Sequence, residues 1–157
     1  MQTFFSHSGY GYSKRLCENV SLWFLKKYQL QNALIDIIHR GLKRENAYGF
    51  CDCIKPNDLY LITIELDTHM TKELYTKTLL HEMTHARQWA EGSLSVEDEK
   101  LCYCKEPVSN YEYWYQPHEI EAREQEETLY LEYLFEKNGW TDHQVAQFFP
   151  NRLMKAV

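Results

Sequence analysis

The sequence predicts an α+β domain, and three observations predict it. Helical spacing of apolar residues marks three separate stretches, Ser13 to Tyr28, Thr71 to Gly92 and Pro117 to Gly139. Between the first two lie runs dense in β-branched and aromatic residues, which suit a sheet. The 157 residues are enough for one domain with a substantial core, and no linker, internal repeat or low-complexity tract divides residues 1 to 157.

Ser13 is placed to cap a first helix running to about Tyr28, because Leu16, Val20, Trp23, Phe24 and Lys27 follow helical spacing and bury one stripe. ALIDIIHR, Ala33 to Arg40, is β-branched and stops at Gly41; it reads as a strand, with a short helix as the alternative. AYGFCDCI from Ala47 and DLYLITIEL from Asp58 flank the turn-like Lys55, Pro56 and Asn57, and so predict a hairpin. The expected sheet is therefore small and three-stranded. From Thr71 the period becomes helical, with Leu74, Thr78, Leu79, Met83 and Ala86 on one broad face and Gly92 as the stop. Ser93 to Gln116 is polar and then aromatic, a long connection of the kind that lines functional sites. Pro117 suits the first turn of a helix, which continues through Ile120, Leu129, Leu131, Tyr133, Leu134 and Phe135 to Gly139. Thr141 would cap a last short helix in DHQVAQFF.

Composition narrows the function classes. Hydrophobic residues make up 44% and aromatic residues 15%, with 12 Tyr, which is a globular and not a disordered balance. The net charge of -6, with basic residues only in scattered pairs such as Lys14-Arg15, Lys26-Lys27 and Lys43-Arg44, disfavours nucleic acid as a partner. The opening MQTFFSHSGYGYSKRL has neither the basic start nor the apolar run of a secretory signal, and the apolar stretch near Leu59 to Leu66 is too short to span a bilayer. The expectation is a cytoplasmic protein, monomeric and with no membrane partner, whose five cysteines stay reduced.

The string HEMTH, inside KTLLHEMTHARQWAEG, carries the sharpest chemistry. On a helix, His81 and His85 stand one turn apart, about 6 Å along the axis, so both imidazoles can reach one ion from the same side. Glu82 follows the first of them near the same face and cannot take the same position, which leaves its carboxylate free as a general base toward water activated by that ion. Such a site hydrolyses a carbonyl compound, most naturally a peptide bond. The plainer alternative is two solvated histidines at helical spacing. A catalytic zinc needs a third protein ligand and an open position, so that ligand comes from elsewhere in the chain. The longer helix motif that would supply a Gly and a further His is absent, because those positions hold Gln88 and Glu91.

With this motif the chain resembles the gluzincin metallopeptidases, particularly the minimal IrrE/ImmA-like and SprT-like kind, over roughly Ser13 to Asn138. The resemblance implies a zincin-like fold, Zn²⁺ as cofactor and a peptide or protein substrate. It also implies a glutamate ligand on a downstream helix in an E-x-x-A pattern, which Glu119-Ile120-Glu121-Ala122 supplies. Glu119 is thus the expected third ligand, with Glu121 and then His118 as alternatives; an acidic solvated helix face with Arg123 as ion-pair partner is the reading without a metal. Many such relatives carry Asp or Asn where Arg123 stands, so the groups supporting the histidines are not specified. The His ligand and basic surface that often accompany the SprT-like proteins are missing.

Cys51-Asp52-Cys53 and Cys102-Tyr103-Cys104 would together hold a second zinc if the hairpin met the long connection; otherwise they are free thiols or disulfides. YEYWYQP, Tyr111 to Pro117, leads into the ligand helix and offers a Tyr hydroxyl to a developing oxyanion, or packs over the core through Trp114. His7, His39, His69 and His143 have no partner at ligand spacing and read as structural or exposed, and Trp89 as packing. A catalytically silent zinc protein that binds a partner through its Tyr-rich surface is the competing function.

Overall fold

A parallel β-α-β unit opens the chain. In the computed structural model, which describes residues 1–138, β1 (Phe4–Gly9) leads into α1 (Lys14–Tyr28), and β2 (Ala33–His39) returns parallel to β1. Ser13 caps α1 by accepting a hydrogen bond from the Leu16 amide at 3.2 Å. Next come β3 (Gly49–Ile54) and β4 (Tyr60–Leu66), an antiparallel hairpin whose second strand lies parallel to β2. The sheet order is β1-β2-β4-β3, so β3 is an edge strand. The short helix expected after Thr141 lies outside the described residues.

α2 (Lys72–Ala90) carries the HEMTH string, and Thr71 caps it by accepting from the Leu74 amide at 3.2 Å. One face of the four-stranded sheet, with Ile35, Ile37, Ile62, Ile64 and Leu66, packs into a core with Val20 and Phe24 of α1 and Leu79, Leu80 and Met83 of α2. Each such side chain contributes about 1.5–3 kcal/mol by leaving water. The alternate residues Leu34, Asp36 and Thr63 are exposed on the other face.

A polar anchor fixes the start of α2 against the ends of the parallel strands. The buried His39 ring accepts from the Tyr75 hydroxyl at Nε2 (2.7 Å) and donates from Nδ1 to the Ser8 carbonyl (2.9 Å), with the Tyr12 ring stacked on it at 3.4 Å. That tautomer requires a neutral imidazole, and burial lowers the His39 pKa accordingly.

Two features of the predicted architecture need correction. The sheet has four strands and not three, because Phe4–Gly9 is a strand ahead of the first helix. Its polar Ser6, His7 and Ser8 give no apolar run; what makes it a strand is ladder pairing with β2, a contact far away in sequence. The long connection after α2 is also more ordered than a loop. It folds into a second antiparallel sheet in the order β5-β6-β7, built from β5 (Leu94–Glu97), β6 (Lys100–Tyr103) and β7 (Glu106–Pro107). Two 3-10 turns, Val108–Asn110 and Tyr113–Tyr115, then lead to α3 (Pro117–Asn138), which packs along α2. Mixed α+β is therefore the class. Among the described residues no helix is long and apolar enough to cross a membrane.

Candidate metal centre

The centre forms where the middle of α2 meets the first turn of α3. Nε2 of His81 and Nε2 of His85 are 3.2 Å apart, as one helical turn allows. Glu119 lies against both, with Oε2 at 3.2 Å from His81 Nε2 and Oε1 at 3.3 Å from His85 Nε2. One ligand atom from each of the three lies within 4.8 Å of the others, and among the described residues no other group of three or more His, Cys, Asp or Glu side chains converges so. Two nitrogens and a carboxylate oxygen are a donor set that suits zinc.

Each histidine is oriented from behind, by two residues to which the sequence motif assigns no such role. His81 Nδ1 meets Glu126 Oε2 at 2.8 Å, and His85 Nδ1 meets the Gln88 Oε1 at 2.8 Å. Gln88 in turn donates to the His118 carbonyl at 3.1 Å, tying α2 to the start of α3. Spacing could have found both residues: Glu126 is two helical turns past Glu119, and Gln88 is one turn past His85. Carboxylate and amide partners of this kind fix which ring nitrogen faces an ion.

The charges are tightly coupled. Burial pulls the His81 pKa down, but hydrogen bonds with Glu119 and Glu126 outweigh it and hold the ring at about 10. Burial raises the Glu119 pKa, yet the bonds to His81 and His85 win and keep the carboxylate well below its ordinary range. Glu82 is different. It is 6% exposed, and burial drives its pKa up to about 7 against the lowering charges of His85 and His81.

Gly49 of the edge strand makes room for Glu82. A Cβ at position 49 would come within 2.9 Å of Glu82 Oε1, 3.0 Å of its Cγ and 3.1 Å of Thr78 Cγ2. Gly49 is not among the glycines with positive φ, so space and not backbone conformation calls for a glycine here. Two residues along β3, Cys51 faces the same carboxylates. Burial, and then the charges of Glu82, Cys53, Asp52 and Glu119, push its thiol well above the usual value.

The other candidates are placed elsewhere. Glu121 points away from the histidines, pairing with Arg87 Nη2 at 3.1 Å and accepting from the Tyr103 hydroxyl. His118 is 5% exposed, but its Nε2 stays 3.7 Å from Glu119 and does not join the cluster. Arg123 is not an ion-pair partner along α3; its guanidinium lies over the Trp114 ring at 4.0 Å and donates to the Trp114 carbonyl. All five cysteines are free thiols, and no cluster of the two C-x-C pairs forms among the described residues. Trp114 and Tyr115 are more than half exposed, contrary to packing over the core. Tyr113 is also largely exposed, yet partial burial, the charge of Glu119 and a hydrogen bond to it take its pKa up to about 12. No protein-family model, curated protein or solved structure matches the chain.

Proposed function

We propose that the protein is a zinc-dependent metallopeptidase of the zincin type, resembling the minimal gluzincins, in which His81, His85 and Glu119 hold the ion and Glu82 is the general base. The observation that carries this reading is the meeting of the two Nε2 atoms with a carboxylate 38 residues further along the chain, beside a second, buried carboxylate. Helical periodicity alone would bring the histidines together, but not Glu119. When bound, a zinc ion polarises a substrate carbonyl and shifts the pKa of water from about 15.7 toward about 7.

The remaining roles belong to the protein. Glu82 takes the proton of the attacking water and passes it to the departing amine, a task matched by a pKa near neutrality. Glu126 and Gln88 hold the imidazoles in the tautomers that leave both Nε2 atoms for the ion. Gly49 keeps the Glu82 carboxylate where space allows it. The exposed Tyr113, Trp114 and Tyr115 favour one other reading, a silent zinc protein that docks a partner on this aromatic rim. Peptidase assays on the wild type and Glu82→Gln separate the two.

Three results are expected from this arrangement. Metal uptake must displace the proton that His81 carries below pH 10, so apparent zinc affinity should rise about tenfold per pH unit between pH 6 and pH 8. Calorimetric titrations in buffers of different ionisation enthalpy would report the released proton. Glu126→Ala should weaken zinc binding by about 10–100-fold without removing a ligand, read by competition with a chromogenic chelator. Gly49→Ala should displace the Glu82 carboxylate and lower kcat by about 100-fold with zinc content unchanged, checked by steady-state kinetics beside metal analysis.

A further inference from the structure

Among the described residues the two sheets each end in a strand with an unpaired outer edge, β3 in one and β5 in the other. Residues of both strands line a single cavity of about 620 Å³, which also takes in Trp89 of α2. Trp89 at 9% and Leu94 at 3% exposure are its buried apolar lining, Ile54 and Val96 line it at 63% and 61%, and the charged Lys55, Glu97 and Lys105 are part of its wall. Exposed aliphatic side chains flanking a cavity mark a surface that gains by being covered. Unpaired strand edges carry amide and carbonyl groups that an extended chain can pair with.

The position of the slot ties it to the metal centre. Trp89 lies two helical turns beyond Glu82, on the same face of α2 and about 10 Å along its axis. β3 runs in step, since Gly49 touches Glu82 and Cys53 and Ile54 line the slot. At about 3.3 Å per residue, a chain stretched along β3 reaches the slot three or four residues from the atoms beside Glu82.

We infer that this slot is a specificity pocket for an extended polypeptide substrate, seating an aliphatic or aromatic side chain on Trp89 and Leu94 three or four residues from the scissile bond. The inference rests on the peptidase reading for its place in the reaction, but the slot itself is tested apart from turnover. Apolar contact and strand pairing both favour an unfolded or loosely folded segment over a folded surface, because both need a free backbone and a protruding side chain.

The test is cleavage-site profiling of a randomised dodecapeptide pool with the zinc-loaded protein, read by mass spectrometry. Leu, Ile, Val or Phe should be enriched at least fivefold at one position three or four residues from the cut. Ile54→Lys and Val96→Lys, both at exposed positions, should abolish that enrichment while zinc content and melting temperature stay at wild-type values. A flat profile at those positions, or an enrichment that survives both substitutions, overturns the inference. If the pool is not cut at all, the same fluorescently labelled pool is offered to Glu82→Gln: retention lost in Ile54→Lys and Val96→Lys upholds the slot without the peptidase reading, and no retention overturns it. Sedimentation showing a wild-type dimer that these substitutions dissociate would make the slot a contact between copies of the chain and overturn it too.

Discussion

Glu82→Gln should abolish peptide hydrolysis, by about 10²–10⁴-fold in kcat, while one zinc ion per chain is retained. The side chain touches neither Nε2 atom by hydrogen bond and belongs to no ligand cluster among the described residues, so on the proposed reading the substitution removes a base and not a ligand. Gln fits the same space under Gly49 and introduces no charge into a position that burial already drives toward the neutral form. Folding should therefore be unharmed, and a melting temperature at or above that of the wild type is expected. Activity on a quenched-fluorescence peptide, measured beside metal content, checks this. A protein that holds zinc only as a fold element would behave alike with Glu or Gln at this position.

Glu119→Ala should cost more than 100-fold in zinc affinity, beyond the effect expected of a residue that merely orients a ligand. The carboxylate bridges both imidazoles and is the one acidic group of the three-residue cluster. Glu121→Ala is the internal control. It should leave zinc in place and instead release Arg87 and Tyr103, loosening the contact between the second sheet and the two long helices. Competition titration of the two variants against one chelator distinguishes them directly.

The legible and illegible parts of this chain differ for physical reasons. α1 and α2 were readable because Ser13 and Thr71 announce their starts and each buries one stripe. The β3–β4 hairpin was readable because its turn residues are the usual ones. The β5–β6–β7 sheet was not, since its two turns are built by Asp98 (φ 50) with Glu99 (φ 64) and by Cys104 (φ 50) with Lys105 (φ 70). Left-handed turn positions normally advertise themselves by Gly, Asn or Asp, and of these four only Asp98 does, with no Gly after it. In the centre itself, His81, Glu82 and His85 were given by their spacing, whereas the choice of Glu119 over Glu121 followed from a resemblance. The two lie on different sides of α3: Glu119 faces the histidines and Glu121 faces Arg87. Glu126 and Gln88 act through the histidines, and their only signal was helical spacing from Glu119 and His85, which many solvated residues share.

The most direct test of the account is zinc K-edge absorption on the purified protein after zinc loading and removal of excess metal. The expected result is one ion per chain with two imidazole nitrogens at about 2.0–2.1 Å, carboxylate oxygen in the same shell, and loss of the signal in Glu119→Ala. No bound ion, or a first shell of two or more sulfur atoms, would contradict it.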